Sequence, residues 1–228
     1  MIVLETDETL EHEFARILRM SGVALYHSRI AMVPEIRPDT LARMERDLPD
    51  SARLLPPSLR FDAIGFGCTS ASSVIGSDKV ARAIQSVCPG ANVTDPLAAI
   101  VAAGRHLNAK RLGFVTPYVP EVSARMRQNL ECAGFKIASF GSFEEGNDRL
   151  VARITPASIL QAIETVVTKA PCDAVVISCT NLRCLDVIPQ AEATIGVPVI
   201  SSNQALAWHM LRLAGIEDAS AKFGKLFA

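Results

Sequence analysis

No run of basic residues in this 228-residue chain exceeds two and the formal charge is −1, so the electrostatic footprint of a nucleic-acid binder is missing. A DNA or RNA partner is not expected. No segment approaches the ~20 apolar residues that span a bilayer, which excludes a transmembrane helix. The start, Met1-Ile2-Val3-Leu4-Glu5-Thr6-Asp7, has neither the basic stretch nor the long apolar stretch of an export signal, so a cytoplasmic protein is expected. Six cysteines, Cys68, Cys88, Cys132, Cys172, Cys179 and Cys184, stand at irregular spacings that fit free thiols better than a disulfide framework. Neither C-x2-C nor H-x3-H spacing occurs among them or among His12, His27, His106 and His209, so no metal site is expected. Low-complexity segments and free interdomain linkers are also missing.

What is present is the composition of an ordinary globular protein, 49% apolar and 21% charged, long enough for one large domain or two of about 110 residues. Short β-rich runs alternate with segments of helical period along the whole length, the signature of βαβ units and an α/β fold with mostly parallel sheet. Strands are expected at 2–4, 24–27, 63–67, 92–94, 111–116, 136–139, 174–178 and 197–200. Several are continuous apolar runs suited to burial on both faces. Leu10, Phe14, Ile17 and Leu18 fall on one helical face, with Asp7 and Glu8 before it and Gly22 beyond it. Val122, Met126 and Leu130 do the same between Pro120 and Gly134. Residues 54–58 and 140–147 are expected to be loops.

The most informative feature is an internal echo. Asp62-Ala63-Ile64-Gly65-Phe66-Gly67-Cys68-Thr69-Ser70 in the first half answers to Asp173-Ala174-Val175-Val176-Ile177-Ser178-Cys179-Thr180-Asn181 in the second, 111 positions later. Each copy has an acid, a buried run, then Cys-Thr-polar where a strand gives way. Downstream, Gly90–Asp95 and Gly196–Ser201 each lead from a short strand into a helix, over 97–107 and 205–213. Two similar open-sheet halves related by a pseudo-twofold follow, 1–95 plus 205–228 and 96–204. Ligands in such sheets sit at the carboxyl ends of strands, which puts both Cys-Thr turns in one cleft between the halves.

A thiol at a strand end beside a helix N-terminus is expected to have a lowered pKa and to serve as base or nucleophile. The hydroxyls of Thr69, Ser70 and Thr180, with neighbouring amides, suit a carboxylate and the enediolate formed when its α-carbon loses a proton. With one thiol on each face, one removes a proton and the other returns one from the opposite side. The same pair can work covalently, one thiolate adding to a double bond while the other manages protons. Neither route calls for a cofactor. A two-lobed module that binds a small anion, with bystander cysteines, is the non-enzymatic alternative.

Cys68-Thr69-Ser70-Ala71-Ser72 and Cys179-Thr180-Asn181 resemble the paired motifs of the aspartate/glutamate/hydantoin racemase superfamily. Leu185–Pro189, Gly196–Ser202 and Leu211–Gly215 resemble its branch of maleate cis-trans isomerases, arylmalonate decarboxylases and racemase-like proteins of ectoine utilisation. The resemblance implies a cofactor-independent racemase or isomerase of a small amino-acid-like or dicarboxylic acid, with Cys68 and Cys179 catalytic. It places the carboxylate pocket on Thr69, Ser70 and Tyr118, with Thr180 and Asn181 beside the second thiol. The decarboxylases carry Gly where Cys68 stands, so two thiols favour racemase or isomerase chemistry. The isomerases hold a substrate carboxylate with an N-terminal Asn, where this chain has Asp7. An acid there favours an amino- or amide-bearing substrate, and Asn147-Asp148-Arg149 is a further candidate stretch.

Simpler readings apply elsewhere. Cys88, Cys132 and Cys172 are expected to be buried filler, and Cys184 to lie inside the helix after Cys179. Trp208 and His209 are expected to pack on the last helix, which is also a candidate contact for a homodimer or larger homo-oligomer.

Overall fold

The computed structural model describes residues 1–217 and 220–228. Among them, eight strands form two four-stranded parallel sheets with the same order, β2-β1-β3-β4 and β6-β5-β7-β8. The first sheet holds β1 (Ile2–Leu4), β2 (Ser28–Ile30), β3 (Ala63–Gly67) and β4 (Asn92–Thr94). The second holds β5 (Arg111–Thr116), β6 (Lys136–Ser142), β7 (Ala174–Ile177) and β8 (Val199–Ser201). The echo thus marks equivalent strands, β3 and β7, and the fold is the expected pair of similar α/β halves.

Helices α1 (Leu10–Ile17), α2 (Pro38–Arg53), α3 (Thr69–Ile75), α4 (Ser77–Gln85) and α5 (Pro96–His106) belong to the first part of the chain. Helices α6 (Pro120–Cys132), α7 (Asp148–Val151), α8 (Pro156–Lys169), α9 (Val187–Ile195) and α10 (Ser202–Leu213) follow. The 3.6-residue period decides which side chains enter the core: Leu10, Phe14 and Ile17 of α1, and Val122, Met126 and Leu130 of α6, are all buried. Each such side chain contributes roughly 1.5–3 kcal/mol of transfer free energy on burial. Gly134, at φ +98°, ends α6 in a conformation that a side chain would oppose. Helices α5 and α10 occupy equivalent places after β4 and β8. Asp95 caps the first, its Oδ1 accepting from the Leu97 and Ala98 amides, and Ser201 caps the second with Gln204 reciprocating. These two helices pack on each other, and α10 also meets α1 and β3.

Three boundaries differ from expectation. Residues 24–27 are not a strand: β1 begins only at Ile2, so pairing starts at Ser28, and the Tyr26 carbonyl instead accepts a hydrogen bond from the Met1 ammonium at 2.8 Å. The expected loop over 140–147 begins as strand, because the six-residue β5 pairs with β6 as far as Ser142. Pairing of β8 starts at Val199, two residues late. Among the described residues, no helix is long and apolar enough to cross a membrane.

Candidate active site

In each sheet the strand order turns back between the two central strands, β1 and β3 in one and β5 and β7 in the other. Such switch points open a crevice at the carboxyl ends, where ligands of open α/β sheets bind. Asp7 follows β1 and Cys68 follows β3; Tyr118 follows β5 and Cys179 follows β7. Asp7 and Tyr118 are also 111 positions apart, so the two halves offer a carboxyl and a phenol at one station and a thiol each at the next.

Cys68 is the N-cap of α3. Its Sγ accepts from the Ala71 amide at 3.3 Å and lies 3.5 Å from Ser70 Oγ. Thr69 Oγ1 donates to Ser202 Oγ at the start of α10, 2.9 Å away. Cys179 has no helix directly after it. The Asn181 amide donates to its Sγ at 3.3 Å, and Thr180 Oγ1 reaches back to the Gly67 carbonyl at 3.4 Å, joining the two strand ends. The Asn181 side chain is fully engaged: its Oδ1 accepts from the Glu8 amide at 2.9 Å and its Nδ2 donates to Asp148 at 3.0 and 3.2 Å.

Tyr118 is buried, like both thiols. Burial raises the phenol's pKa well above its ordinary value, and Cys179 and then Cys68 raise it further. Cys68 is 1% exposed and Cys179 3%, and this decides their charge state. Burial pushes the Cys68 thiol up to about 12 and the Cys179 thiol well above its usual range, while the amide and hydroxyl donors only partly oppose it. The expectation of lowered thiol pKa values is therefore corrected: desolvation exceeds the helix-end effect, and both sulfurs rest as neutral S–H. The charged groups that act on both are the carboxylates of Asp7 and Asp148. Asp7 Oδ1 accepts from the Thr9 and Leu10 amides at 2.8 and 2.7 Å, but its buried Oδ2 has no partner. Burial raises Asp7 to about 6. Asp148, raised by burial as well, accepts from Thr6 Oγ1 at 2.6 Å.

Chain from both halves meets beside Asp148. Pro34 to Ile36 pairs antiparallel with Gly146 to Asp148, through Ile36 N to the Gly146 carbonyl at 2.9 Å and Asp148 N to the Pro34 carbonyl at 3.0 Å. Outside, Arg153 grips Glu8 with two bonds of 2.6 and 3.0 Å. The stretch around Asp148 thus reaches the Cys179 turn through Asn181. Sequence reasoning missed Glu13 and Asn203, polar helix residues that are buried behind the Cys179 turn. Cys184 lies in the turn before α9 and not inside a helix, and Cys132 is exposed and not core filler. Trp208 is buried and packs against His106.

The family model described as arylmalonate decarboxylase matches residues 88–227, more than half of the chain. The chain belongs to the arylmalonate decarboxylase family. Its relatives include a maleate isomerase from Nocardia farcinica, 27% identical with 99% of this chain and 93% of that protein covered. The arylmalonate decarboxylase of Bordetella bronchiseptica is 32% identical over 54% of this chain and 52% of its own. Among solved structures, a cysteine-to-serine mutant of the Nocardia farcinica maleate cis-trans isomerase, with a covalently bound succinylcysteine intermediate, superposes with a TM-score of 0.86 at 25% identity, covering 99% of this chain and 96% of the other. The maleate isomerase from Pseudomonas putida S16 with maleate gives 0.89 at 22% identity, covering 99% and 95%, and so supports the fold. As a member of that family this chain is an enzyme.

Proposed function

We propose that this enzyme is an isomerase that acts at one carbon of a small carboxylic acid, with Cys68 and Cys179 on opposite faces of that carbon. The observation that carries the proposal is the placement of Cys68 and Cys179 at matching switch points of two equivalent sheets, with Thr180 Oγ1 of the second turn reaching the Gly67 carbonyl just before the first thiol. The lobes are residues 1–95 with 205–228 and residues 96–204, a division supported by the packing of α10 on β3.

In the proton-transfer route, a thiolate takes the α-proton, an enediolate forms, and the opposite thiol returns a proton to the other face. A neutral thiol is ready as the donor. The acceptor must first lose its own proton, and Asp7 offers a buried, unengaged carboxylate oxygen to receive it. Hydroxyls of Thr69, Ser70 and Thr180, the Tyr118 phenol and the amide at the start of α3 would hold the substrate carboxylate, and Asn181 would hold Asp148 in place. With two acids facing the thiols, a substrate bearing an amino or amide nitrogen is favoured over a dianion.

The full-length likeness to maleate isomerases favours a second reading. Here one thiolate adds to the double bond of maleate, forming a C–S bond and a carbanion that the other thiol protonates. Rotation about the new single bond, removal of that proton and expulsion of the thiolate yield fumarate and regenerate the enzyme. The test is a conversion assay on D- and L-aspartate, D- and L-glutamate, maleamate and maleate, read by chiral chromatography and absorbance. Turnover of one class is expected, with Cys68→Ala and Cys179→Ala each lowering it at least about 1,000-fold. Conversion of maleate alone selects the second reading, and near-normal turnover in either variant overturns both.

A further inference from the structure

Glu13 is not among the groups proposed to meet the substrate, yet its carboxylate is buried, and among the described residues its bonds go to Cys184, Leu185 and Asn203. Its Oε1 accepts from the Cys184 and Leu185 amides at 2.9 and 2.8 Å. Its Oε2 accepts from Asn203 Nδ2 at 2.8 Å, and the same nitrogen donates to the Thr180 carbonyl at 2.8 Å. Thr9 Oγ1, just before α1, donates to the Asn181 carbonyl at 3.0 Å. Together these contacts tie α1 and α10 to the turn that begins at Cys179.

The reason lies in the hydrogen bonding of the backbone. After Cys68 the chain enters α3 at once, and the first amides are met locally, Ala71 N–H by Cys68 Sγ and Ser72 N–H by the Cys68 carbonyl. After Cys179 it wanders through Thr180 to Asp186 before α9 begins, so the amides and carbonyls of that turn need outside partners to offset their desolvation. Packing does not explain a buried carboxylate, because apolar side chains fill space at lower cost. Its placement makes sense as an anchor of a particular backbone geometry.

We infer that Glu13, with Asn203, is a positioning residue that holds the Cys179 to Leu185 turn, so that the first half of the molecule sets the aim of the second half's thiol. The inference rests on the proposed role of Cys179, but its test does not need the substrate. Wild type, Glu13→Ala, Glu13→Gln and Asn203→Ala are treated with N-ethylmaleimide under native conditions, and labelling of each cysteine is followed by peptide mass spectrometry. In Glu13→Ala, Cys179 and Cys184 are expected to label at least about tenfold faster than in wild type, with Cys68 within about twofold. Glu13→Gln, which keeps an oxygen for the two amides, is expected to fall between. Asn203→Ala reports the same selectivity if Glu13→Ala does not fold. Equal acceleration of Cys68 and Cys179 would mean general loosening and would overturn the inference, as would no acceleration. If labelling is selective but no acid in the panel is turned over, the functional proposal fails and the anchoring role stands.

Discussion

The two thiols stand at equivalent stations of equivalent sheets, yet the chain behind them is built in different ways. Cys68 opens a helix and is held by local contacts, its Sγ bonded to Ala71 and its carbonyl accepting from Ser72 Oγ at 2.6 Å. Cys179 opens an irregular turn held by Thr9 and Glu13 of the other half and by Asn203 at the start of α10. Beside them the same station carries Asp7 in one half and Tyr118 in the other. A duplicated fold can therefore supply twofold placement of two like groups while the surroundings give them unlike tasks.

Tyr118→Phe should have the largest effect on this comparison. The phenol belongs to the second half, acts on Cys179 more than on Cys68, and is expected to be worth about 10- to 100-fold in kcat/KM, on the order of 1.4–2.8 kcal/mol. Unchanged kinetics would remove Tyr118 from the site. A smaller effect, on stability, is expected just before the thiols, where Gly67 and Ser178 hold the same station. A Cβ at Gly67 would lie 2.5 Å from Leu10 Cδ1 and 2.9 Å from Met1 Cε, so Gly67→Ala should cost roughly 1–3 kcal/mol and lower Tm by several degrees. Ser178→Ala should instead be neutral or mildly stabilising, because the buried Ser178 Oγ has no partner. Calorimetry of both variants would read the opposite signs, and equal losses would contradict them.

The smallest effect concerns pH. Asp7 is raised to about 6, so the folded protein holds that proton more tightly than the unfolded chain does. Its contribution to stability is full below about pH 4 and is lost as pH rises through about 6. Glu13, raised to about 7, and Asp95 and Asp148, both raised, act in the same direction. Tm should therefore fall between about pH 4.5 and 7.5, and Asp7→Asn should make that fall shallower. Parallel curves for wild type and variant would show that Asp7 does not titrate in this range.

Much of the architecture could be read from the chain because it rests on local periodicity. Strands at 2–4, 63–67, 92–94 and 111–116 coincide with the observed ones, and the Cys-Thr echo located the pair of switch points. The misplaced strand at 24–27 shows the limit: its residues suit a strand, but pairing depends on where β1 begins. The charge state of the thiols could not be read either. Helix ends are visible in sequence, whereas burial is a property of the folded chain. The anchors of Asp148 and the Cys179 turn were hidden for the same reason, since they join residues 142, 171 and 190 positions apart. Glu13 falls at helical spacing from Leu10 and Ile17, so the period puts it on the apolar face, but it does not show which groups the carboxylate meets there.

The clasp of Pro34 to Ile36 with Gly146 to Asp148 has a consequence for isotopes as well as for shape. It adjoins thiols that are almost fully buried, so on the proposed proton-transfer route a hydrogen passed to sulfur meets little bulk water. It would be returned to the carbon skeleton it came from more often than it is exchanged, and solvent label should enter the product more slowly than the product is made.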